Sequence, residues 1–298
     1  MKRTVFFLIA NFMILSLVAQ EISPYIKVGE LNKSIEEVSK MVENALKLNE
    51  FEILGSYSPS KNSDLKVIVF TRNDVKKSVV QVVDRGALAA AFKIGLVSNN
   101  GNVTVSYTNP EYIFRAYLLD NYISYKNIFN DFGNAIQEAL SDIGNEFVPF
   151  GGSVKADKLK KYHYKVMMPY FTDPVALAEY DSFEEGLQII ESNLAKSSAD
   201  TRMVYKLIYP DEKVAVFGIG LLNFEEGEPH FLPKIGENHV AALPYEMILQ
   251  GNELTMLHGK YRIALHWPDL KMGTFMKIMS TPGDIKDALK SLGKGTSN

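Results

Sequence analysis

Apolar residues return at helical spacing in two widely separated stretches. Ile35, Val38, Val42 and Leu46 share one face, as do Phe183, Leu187, Ile190 and Leu194, with polar residues between them. Each stretch opens with a serine followed three residues later by a glutamate, Ser34/Glu37 and Ser182/Glu185. That spacing predicts a capping box, in which serine oxygen and glutamate each satisfy an orphan backbone donor at the helix start. A β pair follows each helix. Phe51–Ser58 and Leu65–Thr71 flank the turn-rich stretch 59–64, and Met203–Tyr209 and Lys213–Leu221 flank Pro210-Asp211-Glu212.

The halves then diverge. Asp74–Ala91 reads as a helix with Val75, Val79, Val82 and Val83 inward, whereas Pro229 and Pro233 predict an irregular loop or short helix in the second half. A second hairpin is expected in both. Phe92–Ser98 and Val103–Thr108 turn through Asn99-Asn100-Gly101, and Tyr245–Leu249 and Leu254–Leu257 turn through Gln250-Gly251-Asn252. Asn109-Pro110 suits a helix cap and first helical position. The helices Ile136–Ile143 and Ile285–Leu292 close the pattern.

These segments recur in one order at nearly one spacing: Ser34 to Ser182 is 148 positions, Gly101 to Gly251 is 150, and Ile136 to Ile285 is 149. The pattern predicts an internal duplication. The fold class it implies is α+β, a duplicated two-layer sandwich of antiparallel sheet with helices over one face. Expected boundaries are 1–19 as a signal peptide, 20–145 as the first repeat, 146–181 as a link, and 182–298 as the second repeat. Two half-covered sheets in one chain suggest a pseudo-twofold pair, a pseudo-dimer within one monomer.

Residues 1–19 set the address. Lys2 and Arg3 precede Val5–Val18, apolar apart from Asn11 and Ser16, and Ala19 precedes a polar stretch. This is the layout of a signal peptide, and the run is shorter than the roughly 20 residues that span a bilayer. A periplasmic or secreted mature chain beginning near Gln20 is expected, with no membrane span in the mature chain; the competing reading keeps the segment as an uncleaved anchor. Loss of Lys2 and Arg3 leaves 30 basic and 35 acidic residues, a net charge of −5. Such a chain has no basic excess for nucleic acid. With zero cysteines, thiolate metal sites, disulfides and a cysteine nucleophile are excluded.

The run Ala242-Leu243-Pro244-Tyr245-Glu246-Met247-Ile248-Leu249 followed by Gly251-Asn252, together with Asn109-Pro110 in the first half, resembles the bacterial domain-of-unknown-function 302 family. The second half departs from that pattern, with Gly259-Lys260 where the family carries its Asn/Asp-Pro turn. The resemblance implies a two-layer α+β fold similar to the TATA-binding-protein architecture, and it implies no reaction.

Candidate chemistry is sparse. His163, His230, His239, His258 and His266 fall into no metal-ligand spacing, and no cofactor loop or nucleophile elbow is present. His258 and His266 would lie about 26 Å apart on an extended segment. The densest aromatic stretch is Tyr162-His163-Tyr164 with Tyr170-Phe171, beside Lys160, Lys161 and Lys165. Amphipathic rings suit ligand walls. Tyr162, His163, Tyr164 and Tyr170 are therefore the candidate ligand-binding residues, and the cations favour an anionic ligand. The competing reading is a strand in which Tyr162, Tyr164 and Val166 alternate. Catalytic and metal residues are assigned to none, and no cofactor is expected. The expected function is a non-catalytic binding protein for a small molecule or an envelope protein. The alternative is an extracytoplasmic enzyme, such as a metal-dependent hydrolase using His163 or His230.

Overall fold

The computed structural model describes residues 20–196 and 200–295. The proposed signal segment 1–19 lies outside them. In the first half the order is β1 (Glu21–Ile22), β2 (Tyr25–Leu31), α1 (Ile35–Leu48), β3 (Glu52–Tyr57), β4 (Leu65–Thr71), α2 (Asn73–Val79), β5 (Phe92–Asn99), β6 (Asn102–Thr108), α3 (Pro110–Leu118) and α4 (Lys126–Ala139). The connecting stretch carries β7 (Val148–Phe150), β8 (Val154–Lys155) and α5 (Ala156–Leu159). The second half runs β9 (Val175–Glu179), α6 (Phe183–Ala195), β10 (Thr201–Tyr209), β11 (Val214–Leu221), α7 (Glu228–Ile235), β12 (Tyr245–Gln250), β13 (Glu253–Met256), α8 (Gly259–His266), α9 (Met272–Phe275) and α10 (Thr281–Gly293).

The fold is α+β, with antiparallel sheets. One sheet has the order β3-β4-β5-β6-β2-β7 and the other β10-β11-β12-β13-β9, so five strands follow the same order in both. Ladder irregularities also recur. Both outer hairpins are bulged near their starts, at Leu54 and Val204, and both leading strands are bulged, at Val28 and Leu177. The leading strands β2 and β9 are elements that the helix-first reading of each half did not contain. β2 pairs with β6 and β7 and β9 pairs with β13, all far along the chain, so no local hairpin signal marks them. The stretch expected as a link supplies β7 to the first sheet's edge and β9 to the second sheet.

Local chemistry explains the helices. Ser34 and Glu37 form the full capping box. Ser182 accepts from the Glu185 amide, but the Glu185 carboxylate reaches one residue further back, to the Asp181 amide. Ile35, Val38, Val42 and Leu46 are all buried, as are Phe183, Ile190 and Leu194. Phe132 of α4 packs with Phe51, Phe70, Phe92 and Phe114 to form the aromatic centre of the first core.

One helix is shorter than its sequence suggests. α2 ends at Val79, and a 3-10 turn, Gly86–Ala90, follows, leaving Val83 86% exposed. Paired β-branched residues at Val79-Val80 and Val82-Val83 are weak helix formers. A side chain at Gly86 would lie 2.4 Å from the Val79 carbonyl, so glycine permits the chain to fold back tightly there. The counterpart in the second half is α7 and the 3-10 turn Glu237–Ala242.

Those two short turns cross between the halves. Glu237–Ala242 lies over β4, β5 and β6 of the first sheet, while Gly86–Ala90 approaches β11 of the second. Gly95 of β5 makes room for this packing, because a Cβ there would sit 2.7 Å from Val240 and 3.0 Å from the Ala241 amide. Helices thus cover one face of each sheet, and the other half covers the opposite face. Strand alternation sends Phe92 and Ile94 to the helices and Lys93 and Gly95 to the seam.

Candidate functional site

The seam between the halves holds a buried polar cluster. Lys93 and Glu246 each occupy the second position of their strand, β5 and β12, and form an ion pair. Glu246 also accepts from Nε and Nη2 of Arg262, at 3.2 and 2.9 Å. The same Nη2 donates to the carbonyls of Ala242 and Pro244, and the guanidinium lies 3.9 Å from the Tyr245 ring centroid. Burial opposes the charge on Glu246, but Lys93 and Arg262 together hold its carboxyl below the usual range. The arrangement is one anion held between two cations, with Nη1 of Arg262 buried and without a hydrogen-bond partner.

Contacts across the seam are reciprocal. The Tyr112 hydroxyl donates to the Leu265 carbonyl at 2.7 Å, and the Tyr261 hydroxyl donates to the Ala116 carbonyl at 3.4 Å. Tyr112 and Tyr261 are 149 positions apart, as are Ala116 and Leu265. Tyr117 and His266 share that spacing and lie 3.4 Å apart, hydroxyl to Nε2. Contacts of i with j matched by j with i are what a twofold-related surface produces. The Tyr25 hydroxyl stands 3.1 Å from both Nδ1 and the carbonyl of His266. Burial, then Arg262 and Lys93, push the His266 imidazole well below its ordinary range, which favours its neutral form.

A second buried acid bridges the halves. Glu228, at the first position of α7, accepts from the Tyr57 hydroxyl (2.9 Å), the Ser60 amide (3.1 Å) and the Leu221 amide (3.1 Å). Burial raises its carboxyl to about 7 against those three donors.

The four candidate ligand residues lie in a stretch of turns, 160–174, not in a strand. Its rings are fixed by hydroxyls donating to α8 and the loop beyond it, Tyr162 to Ala264 at 2.8 Å and Tyr164 to Leu270 at 3.3 Å, instead of by a ladder. Val166 is 84% exposed, which the alternating-strand reading did not anticipate. Tyr162 and Tyr170 line one cleft of about 470 Å³ with Leu119, Asp120, Lys160, Lys161, Phe171 and Thr172. Tyr164 lines a different crevice, with Met168, Ile263 and Phe275. His163 packs against Tyr170 with centroids 4.5 Å apart and the rings tilted by 42°, and its Nδ1 lies 2.7 Å from the Lys165 carbonyl. The structure therefore brings Tyr162 and Tyr170 together, backs Tyr170 with His163, and sends Tyr164 elsewhere. Lys160 pairs with Asp120 at the rim.

The other histidines take separate posts. His230 faces Lys234, His258 caps α8 by accepting from the Lys260 amide, and His239 stands edge-on to Tyr25. A helix lies between His258 and His266, where an extended segment was considered. Among the described residues, no group of three or more His, Asp or Glu side chains is placed to hold a metal ion. Trp267 is buried in the core. Lys93, Glu246 and Arg262 are not marked as functional residues by the sequence, and Glu228 reads there as part of an acidic cluster with Glu225 and Glu226, a cation binder or a solvated loop, whereas the structure buries it. A usable signal was present: Phe92-Lys93-Ile94 and Tyr245-Glu246-Met247 each set one charge inside an apolar strand at matching positions.

No family model matches the chain, and no curated protein matches it. Among solved structures it is similar to an uncharacterized conserved protein, DUF302, from Bacillus stearothermophilus. That likeness is at 16% identity with a TM-score of 0.31 and covers 39% of this chain and 94% of the other. No helix among the described residues is long and apolar enough to cross a membrane.

Proposed function

We propose that this is an exported, non-catalytic binding protein whose ligand site is the cleft between 119–120 and 160–172. The observation that carries the reading is the composition of that cleft: Tyr162, Tyr170 and Phe171 supply an aromatic wall, and Lys160 and Lys161 stand at the same opening. Its size suits a small organic molecule. The lysines favour an anionic one in an otherwise acidic chain. The buried acids and bases favour binding over catalysis, because Lys93, Glu246, Arg262 and Glu228 are engaged with one another or with the backbone at the seam. Export rests on the layout of residues 1–19.

The same reading treats the chain as two copies of one unit, at 20–145 and 182–298 with a bridging stretch between. Equal strand orders, matching bulges and the reciprocal tyrosine bonds support it.

The test is native mass spectrometry of protein purified from its own host. The expected result is a co-purifying small anion that a Tyr162→Ala/Tyr170→Ala variant lacks. A Lys161→Ala/Tyr170→Ala variant, which leaves the Tyr162 anchor intact, should lack it too. A bound mass retained by both variants would place the site elsewhere.

A further inference from the structure

Five methionines are exposed among the described residues: Met167, Met203, Met272, Met276 and Met279. The last three are grouped. α9 continues into a 3-10 turn, Met276–Ile278, and Phe275, Met276 and Met279 all keep right-handed helical backbone. At about 100° per residue, steps of four and three place Met272, Met276 and Met279 within roughly 60° of one another. The tighter 3-10 geometry brings Met276 and Met279 closer to eclipse. On a helix such neighbours have Cβ atoms about 5–6 Å apart, and the long flexible side chains can draw their sulfurs closer still.

These side chains do not serve the core. They are 45%, 56% and 61% exposed, while Ile278 between them is fully buried and Phe275 packs inward. The flanking cations stand aside: Lys271 is the extended cap residue before the helix, and Lys277 lies about 100° round it from Met276. Three neutral, polarizable sulfurs on one exposed face form a soft donor set. Thioethers select soft cations such as Cu(I) over hard ones, and the chain has no cysteine to compete.

We propose that Met272, Met276 and Met279 form a three-thioether site for a soft monovalent cation, Cu(I) or its redox-inert analogue Ag(I). This site is separate from the proposed ligand cleft and does not depend on it. The test titrates the full chain with Ag(I) in chloride-free buffer, read by native mass spectrometry and by the methyl NMR signals of the methionines. The expected result is one Ag(I) per chain, with shifts confined to these three methyl groups. The Met272→Leu/Met276→Leu/Met279→Leu variant should lose the ion, whereas Met167→Leu/Met203→Leu should keep it. Leucine preserves an apolar face, so a surface built for hydrophobic docking would survive the triple change while the metal site would not. No stoichiometric uptake by the wild type, or equal uptake by the triple variant, overturns the proposal.

Discussion

Replacing Glu228 by glutamine should uncouple the stability of the protein from pH across the neutral range. The carboxyl is buried with a value of about 7, against an ordinary 4.5. At about 1.36 kcal/mol per unit, that difference of 2.5 units corresponds to roughly 3 kcal/mol. The sign follows from proton uptake. Between about 4.5 and 7 the folded protein holds the proton more firmly than the unfolded chain does. The stabilisation is therefore complete below 4.5 and is lost as pH rises through 7. Glutamine keeps an acceptor for Tyr57 and Leu221 but turns an amide donor toward the Ser60 N–H. An unmatched buried donor costs about 1–3 kcal/mol. At pH 5 the variant should thus be less stable than the wild type by about that amount. By pH 8.5 the difference should have closed or reversed, having moved by roughly 3 kcal/mol in all. Urea unfolding at several pH values, followed by the fluorescence of the single buried tryptophan, Trp267, measures it. The quantity to plot is wild type minus variant. His266 and His239 are depressed by burial and destabilise both proteins on acidification, so their effect cancels. Parallel curves for the two proteins would refute the reasoning.

Three further outcomes are expected. Glu246→Leu leaves Lys93 and Arg262 buried without their anion and should cost about 3–5 kcal/mol in chemical denaturation. Lys93→Met leaves the Glu246–Arg262 pair in place and should cost less, and the reverse order would contradict the assigned roles. N-terminal sequencing of the exported protein should begin near Gln20, and an intact Met1 in a membrane fraction would count against cleavage there.

Much of the architecture was legible because it is local. Capping serines, helical faces and the Asn100-Gly101 turn, with φ of 50° and 82°, are written within a few residues of one another. What stayed hidden depends on distant partners. β2 is a strand because β6, some 80 positions on, pairs with it, and its bulge at Val28 breaks the alternation a reader would look for. Glu228 reads as one more acid in a run with Glu225 and Glu226, and only Tyr57 and Ser60 from the other half make it an interior group. The aromatic stretch at 162–170 was visible as composition. Its division between two crevices was not, because Tyr162 and Tyr164 are aimed by carbonyls at Ala264 and Leu270.

The crossed turns impose a schedule on synthesis. The strands β3 to β6 are complete by Thr108, yet the stretch that covers their second face, Glu237–Ala242, emerges only some 130 residues later. At about 5–20 residues per second, that face waits on the order of 6 to 26 seconds for its cover. During that interval the nascent first half exposes Gly95 and its neighbours with nothing of its own to place there. An intervening stop in translation between codons 108 and 242 would lengthen the exposure without changing a single native contact.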